Sequence, residues 1–173
     1  MQAIRTANHL GAAALALTDL MLGGASSVAG VSPSGAAALV TLSAFPGLTV
    51  TELGRQVGLS QSAAARMVDS LEAEGLAARR PRVGRQVTVH LTSAGRQAVC
   101  DLLDARSTLL ADLVASLDGE DRDALARLLP RLLARLYRHV GHAQRMCRLC
   151  DRASCTADAA CPVGAAERDR QGE

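Results

Sequence analysis

Apolar residues at Ile4, Ala7, Gly11, Ala14, Leu17 and Met21 recur every three or four positions. That spacing is one stripe of a helix, predicted over 3–22 and closed by Gly23 and Gly24. A second helix is expected over 33–45, opened by Ser32 and Pro33 and stopped by Pro46-Gly47. The stretch LTVTELGRQVGLSQSAAARMVDSLEAEGLAAR then carries two sharper signals. Thr49 and Glu52 form a T-x-x-E capping box that starts a short helix over about 50–57. Gly58 breaks it, and Ser60 caps the next helix, which runs to about Glu74 and ends at Gly75. Two short helices joined by a tight glycine turn are a helix-turn-helix, packed through Val50, Leu53, Val57, Leu59, Ala64, Val68 and Leu71.

Beyond Gly75 the period changes from helical to alternating. Val87, Val89 and Leu91 fall on one face and Gln86, Thr88 and His90 on the other, which predicts a strand. Residues 76–80 are its expected partner, and residues 81–84 the hairpin tip. Thr92 or Ser93 caps a long helix ending near Asp118-Gly119. A last helix is predicted over 120–146, with Leu125, Leu128, Leu132, Leu136 and Val140 on one stripe and a kink expected at Pro130. The fold class expected is therefore mainly α: a winged helix-turn-helix with a two-stranded β-hairpin wing and long helices at both ends of the chain. The expected divisions are a dimerisation helix over 1–24, a winged domain over 25–92 and dimerisation helices over 93–146. A cysteine-rich module over 147–164 and a disordered tail over 165–173 complete the chain.

Composition sharpens this picture. Phe45 and Tyr137 are the only aromatic residues, so the core must be Leu, Val and Ala. All 19 basic residues are arginine, yet the net charge is only +2, so any affinity for nucleic acid must come from local clustering. No apolar run reaches the ~20 residues that a membrane span needs. Thr18 and Asp19 interrupt the N-terminal apolar run, which is read as a helix rather than a leader. A cytoplasmic location with reduced thiols is expected. There is no phosphate loop, nucleophile elbow or acid–base pair, and an enzyme is not expected. Stacking aromatics for single strands are also lacking.

The second helix of a helix-turn-helix enters the major groove of DNA with its N-terminal side chains at base edges. Here that helix offers Ser60, Gln61, Ser62, Arg66 and Ser70, with Ala63 small enough to let the backbone approach. Arg66 is suited to bidentate readout of guanine. Arg79, Arg80, Arg82 and Arg85 crowd the hairpin and suit the phosphate backbone or a narrow minor groove. The segment GLSQSAAARMVDSLEAEGL, followed by VHLTSAG, resembles the MarR family of winged helix-turn-helix regulators, over about residues 5–145. The resemblance implies a homodimer whose first and last helices interlock, and a near-palindromic double-stranded DNA operator. It also implies a wing arginine, Arg85 by position, that enters the minor groove. Regulators of this kind are commonly repressors, relieved by a small-molecule ligand in a cleft between the dimer region and the winged domain, or by thiol oxidation. Two departures stand out: Val83 occupies a wing position that is commonly acidic, and the hairpin tip is about two residues short.

The tail CRLCDRASCTADAACPVG places Cys147, Cys150, Cys155 and Cys161 within fifteen residues. In a reducing compartment such density points to metal or redox chemistry. Four thiolates suit tetrahedral zinc or a [4Fe-4S] cluster. Two disulfides, a thiol switch and unliganded cysteines remain as alternatives. Cys100 is expected near the buried side of its helix, and Tyr137 at the dimer interface. Two competing functions are kept: an iron–sulfur electron-transfer or cluster-carrying protein, and a winged-helix adaptor that binds no DNA.

Overall fold

The computed structural model describes residues 1–81 and 86–172, and the side chains of 25–28 are left aside. Helix α1, Gln2–Ala29, is longer than the stripe predicts: it runs through Gly23 and Gly24 and stops where Gly30 turns left-handed. A glycine weakens a helix by roughly 1 kcal/mol against alanine. α1 lies along the later helix α5 and touches α2, and those tertiary contacts offset the loss.

Helix α2, Pro33–Ala44, is capped by Ser32, whose Oγ accepts from the Gly35 N–H at 3.1 Å. It is the buried axle of the molecule, because Gly35 to Leu42 are all buried. Strand β1, Leu48–Thr49, leads into α3, Val50–Val57. The Thr49–Glu52 capping box forms as expected, with the Thr49 N–H donating to Glu52 at 2.8 Å and the Glu52 N–H to Thr49 Oγ1 at 3.3 Å. Helix α4, Gln61–Ala73, follows, with Ser60 as its N-cap. The two helices cross at Gly54, where a Cβ would lie 2.7 Å from the Ala64 Cβ, so only glycine fits the approach.

Strands β2, Ala77–Pro81, and β3, Val87–Leu91, pair antiparallel as the predicted hairpin. β1 adds a third strand on the other edge of β3, with Leu48 opposite Val89, giving the order β1-β3-β2. Val89 and Leu91 enter the core, whereas Val87 is exposed, so the expected apolar face of β3 covers only two of its three valine and leucine positions. The core joins α2, α3, α4, the sheet and the start of α5. Leu39, Leu42, Leu53 and Leu71 are its most buried leucines, and truncating any of them to alanine costs about 2–5 kcal/mol.

Helix α5, Ser93–Ala115, is capped by Thr92. Cys100 is exposed on it, against the expectation of a buried side; Val99 and Leu102 take the inward positions instead. Helix α6, Gly119–Val140, includes Pro130. The predicted helix 120–146 is in fact two, because Gly141 adopts a left-handed φ of 66° and ends α6. The short helix α7, Ala143–Met146, follows after the turn. Two more segments replace the expected loose end: α8, Arg152–Thr156, and α9, Pro162–Gln171. The tail expected to be disordered from 165 is therefore helical, held because Val163 and Ala166 of α9 pack with Tyr137 and Ala143 in a second small core. Tyr137 sits at the centre of that core with no exposed surface, rather than at an interface between chains.

Large apolar side chains remain exposed along α1 and α6. They include Ile4 and Leu15 at 70%, and Leu128 and Leu136 at about half. No helix is long and apolar enough to cross a membrane among the described residues.

Candidate nucleic-acid interface and cysteine module

The N-terminal face of α4 is presented as the sequence suggests. Ser60 turns its Oγ inward to accept from the Ala63 N–H at 3.3 Å, which fixes where the helix starts. Gln61, Ser62 and Arg66 are exposed, Ala63 and Ala65 are half-buried, and Ala64 is buried against α3. Arg66 makes no ion pair among the described residues, so its guanidinium stands free. Ser70 is exposed but bonded to Glu74, its Oγ donating at 2.9 Å, which places it at the far end of the face.

The hairpin arginines divide. Arg79, grouped with the DNA contacts by its position, is instead a strut. Its guanidinium pairs with Asp69 at 2.7 Å and with Glu72, and its backbone N–H donates to Glu72 at 2.6 Å. The Asp69 carboxylate, helped by Glu72, raises the Arg79 pKa above its ordinary value. The strut ties β2 to α4 and so sets the wing against the candidate groove-reading helix. Asp69 and Glu72, three apart on one face of α4, were the signal for it. Arg80 is exposed. Arg82 and Arg85, with Val83, lie outside the described residues.

The four cysteines of the tail are free, with Cys155 exposed and the other three half-buried. They form two contacting pairs, the Cys147 thiol with Cys150 and the Cys155 thiol with Cys161. The hydrogen bond from Cys147 favours a thiolate at Cys150, whose pKa falls to about 6, and the Arg106 and Arg152 charges pull the same way. That same hydrogen bond, with burial, pushes the Cys147 thiol far up. Among the described residues no three of His, Cys, Asp and Glu are placed to hold a metal ion. The donor set suits zinc, and the two pairs lie near enough to act on each other, Cys147 with Cys161 and Cys155 with Cys150; both zinc and a [4Fe-4S] cluster rest on the cysteine spacing.

The segment carrying the first pair is wedged into the winged domain. Leu149 packs on the main core beside Met21, Val40 and Leu102, in the region between α1, α2 and α5. A recess of about 180 Å³ remains beside it, lined in part by Arg106 and Cys150. Arg152 stacks over the Phe45 ring at 4.8 Å. Arg145 reaches the turn of the helix-turn-helix, where a Cβ on Gly58 would lie 2.9 Å from its Nε. None of these anchors follows a local pattern, so sequence periodicity could not reveal them.

Residues 29–86, which hold α2, the helix-turn-helix and the first strand of the wing, match the MarR family. The match is confined to those residues. A MarR-family transcriptional regulator from Silicibacter pomeroyi is 28% identical, with a TM-score of 0.55 over 75% of this chain and 88% of that one. The YusO protein from Bacillus subtilis is 24% identical, with a TM-score of 0.66 over 76% of this chain and 95% of that one. A mutant of Staphylococcus aureus MepR bound to an oligodeoxyribonucleotide shares 16% identity, with a TM-score of 0.60 over 76% of this chain and 97% of that one. No curated protein matches the chain. The cysteines lie beyond the matched MarR-family residues.

Proposed function

We propose that this protein is a transcription regulator, a repressor acting in the cytoplasm, that binds a near-palindromic double-stranded DNA operator as a homodimer. One observation carries the reading: Gln61, Ser62 and Arg66 stand exposed on α4, with Arg66 unpaired among the described residues, on a helix-turn-helix closed by the Gly54–Ala64 approach. The MarR-family match and a DNA-bound neighbour of the same fold support it. The bases would be read by the α4 face, with Arg80, Arg82 and Arg85 on the backbone or in the minor groove.

Dimerisation is supported by the exposed apolar faces of α1 and α6. Exposed leucines on both are the surface that an obligate partner covers.

The cysteine module is proposed as the regulatory element, because Arg145, Leu149 and Arg152 anchor it to α3, the core and α2. Zinc uptake or oxidation of a thiol pair would act through those anchors. The test of the main reading is selection of duplexes from a random pool by the full-length protein. A two-fold-symmetric motif, bound by the wild type and lost in Arg66→Ala, is the expected result.

A further inference from the structure

Helix α7 packs on α3, so the start of the tail lies at the helix-turn-helix. Two hydrogen bonds fix the backbone of α7 there. The Arg145 N–H donates to His142 Nδ1 at 3.4 Å, and the Arg148 guanidinium donates to the Arg145 carbonyl at 2.6 Å. The Arg145 side chain is left to project over the turn, with Nε and Cζ 2.9 and 3.3 Å from where a Gly58 Cβ would be. Both Arg145 and Gly58 are exposed, and Arg145 makes no ion pair among the described residues.

The charge around this turn has one sign. Residues 53–68 contain Arg55 and Arg66 and no acid, and residues 141–150 contain Arg145 and Arg148 and no acid. In a chain with a net charge of only +2, that is local clustering. Arg55 is exposed in the last turn of α3, three places before Gly58, and so flanks the turn beside Arg145. The position faces a defined part of a duplex. Ser60, which starts α4, is two residues beyond Gly58, and two residues span at most about 7 Å. The major groove is about 12 Å wide, with a phosphate backbone along each side. When the start of α4 enters the groove, a guanidinium at Gly58 stands at the groove's edge.

We infer that Arg145 is a DNA-backbone contact supplied by the tail. It binds a phosphate at the edge of the groove that α4 reads, beside Arg55, and enlarges the footprint of the helix-turn-helix. The inference rests on the DNA-binding reading and adds to it a contact from outside residues 29–86. A phosphate contact sets register and affinity and reads no base.

The test is equilibrium binding of the full-length protein to its selected duplex over a range of salt, beside Arg145→Gln and Arg145→Lys. Arg145→Gln should weaken binding several-fold and lower the salt slope by about one for each bound subunit. The weakening should be the same for the selected motif and for its single-base variants. Arg145→Lys should keep the wild-type slope. Ethylation interference should also reveal a phosphate in each half-site whose modification weakens the wild type and leaves Arg145→Gln indifferent. An unchanged slope in Arg145→Gln overturns the contact even if its melting temperature falls, because an arginine that only supports the fold releases no counterions. A loss confined to one base position overturns it too. Wild-type protein that selects no duplex overturns this inference together with the DNA-binding reading. Binding that Arg66→Ala abolishes and Arg145→Gln leaves untouched overturns this inference alone.

Discussion

Arg145 lies over Gly58: the residue two places before the first tail cysteine covers the turn of the helix-turn-helix, 2.9 Å from where a Gly58 Cβ would be. Gly58 also has a φ of 83°, a conformation that side chains with a Cβ resist. Gly58→Ala is expected to destabilise the protein by about 1–2 kcal/mol, from backbone strain and the displaced arginine. Adding Arg145→Ala should recover the contact part and leave the backbone part. Thermal melting of the two single variants and the double variant measures this. Strictly additive effects would deny the contact.

Arg79 and Arg80 are neighbours with opposite duties. Arg79→Ala should lower stability by about 0.5–1 kcal/mol, because it takes the guanidinium from Asp69 and leaves Glu72 only the backbone N–H. Arg80→Ala should leave melting unchanged and reduce the salt slope of DNA binding by about one, as loss of one phosphate contact does. Equal melting temperatures for the two variants would contradict the strut.

The Cys147–Cys150 pair gives a pH signature. Cys150 is a thiolate in the folded chain above about pH 6, against an ordinary thiol value of 9.0, while Cys147 keeps its proton. Between those pH values the folded pair binds one proton fewer than the unfolded pair, so its contribution to stability rises with pH. It is lost as pH falls through 6, and it declines again above 9, where unfolded Cys147 ionises and folded Cys147 does not. Alkylation of Cys150, followed by peptide mass spectrometry, should show a midpoint near pH 6, with Cys147 lagging far behind. A shared ordinary midpoint would remove the pairing.

The leucine face of α6 should decide assembly. Leu132→Asp with Leu136→Asp adds charge where apolar side chains are exposed, so the fold should survive while the dimer dissociates in sedimentation. DNA affinity should fall with it, since each half-site is then bound alone. A dimer that survives both changes would place the interface elsewhere.

The helix-turn-helix was legible because its signals are local. Thr49, Glu52, Gly58 and Ser60 announce caps and a turn within twelve residues, and each does so in the structure. The missed features depend on partners distant in sequence. β1 has only two residues and exists by pairing with β3. α9 is polar through its second half and is held by Tyr137 from another helix. Gly141 directly follows a regular leucine stripe whose predicted helix continues to 146, which concealed the break between α6 and α7. For the candidate site, exposed Gln61, Ser62 and Arg66 followed from helical periodicity. The retirement of Arg79 to a strut needed the wing folded back on α4.

The most direct test of the central claim is equilibrium binding of the full-length protein to its selected duplex at two salt concentrations, beside Arg66→Ala at matched dimer content. The account predicts tight, salt-dependent binding by the wild type. It also predicts a loss of about 1–3 kcal/mol in the variant, concentrated at one base position in each half-site. Equal affinity and equal sequence preference for the two proteins would contradict it.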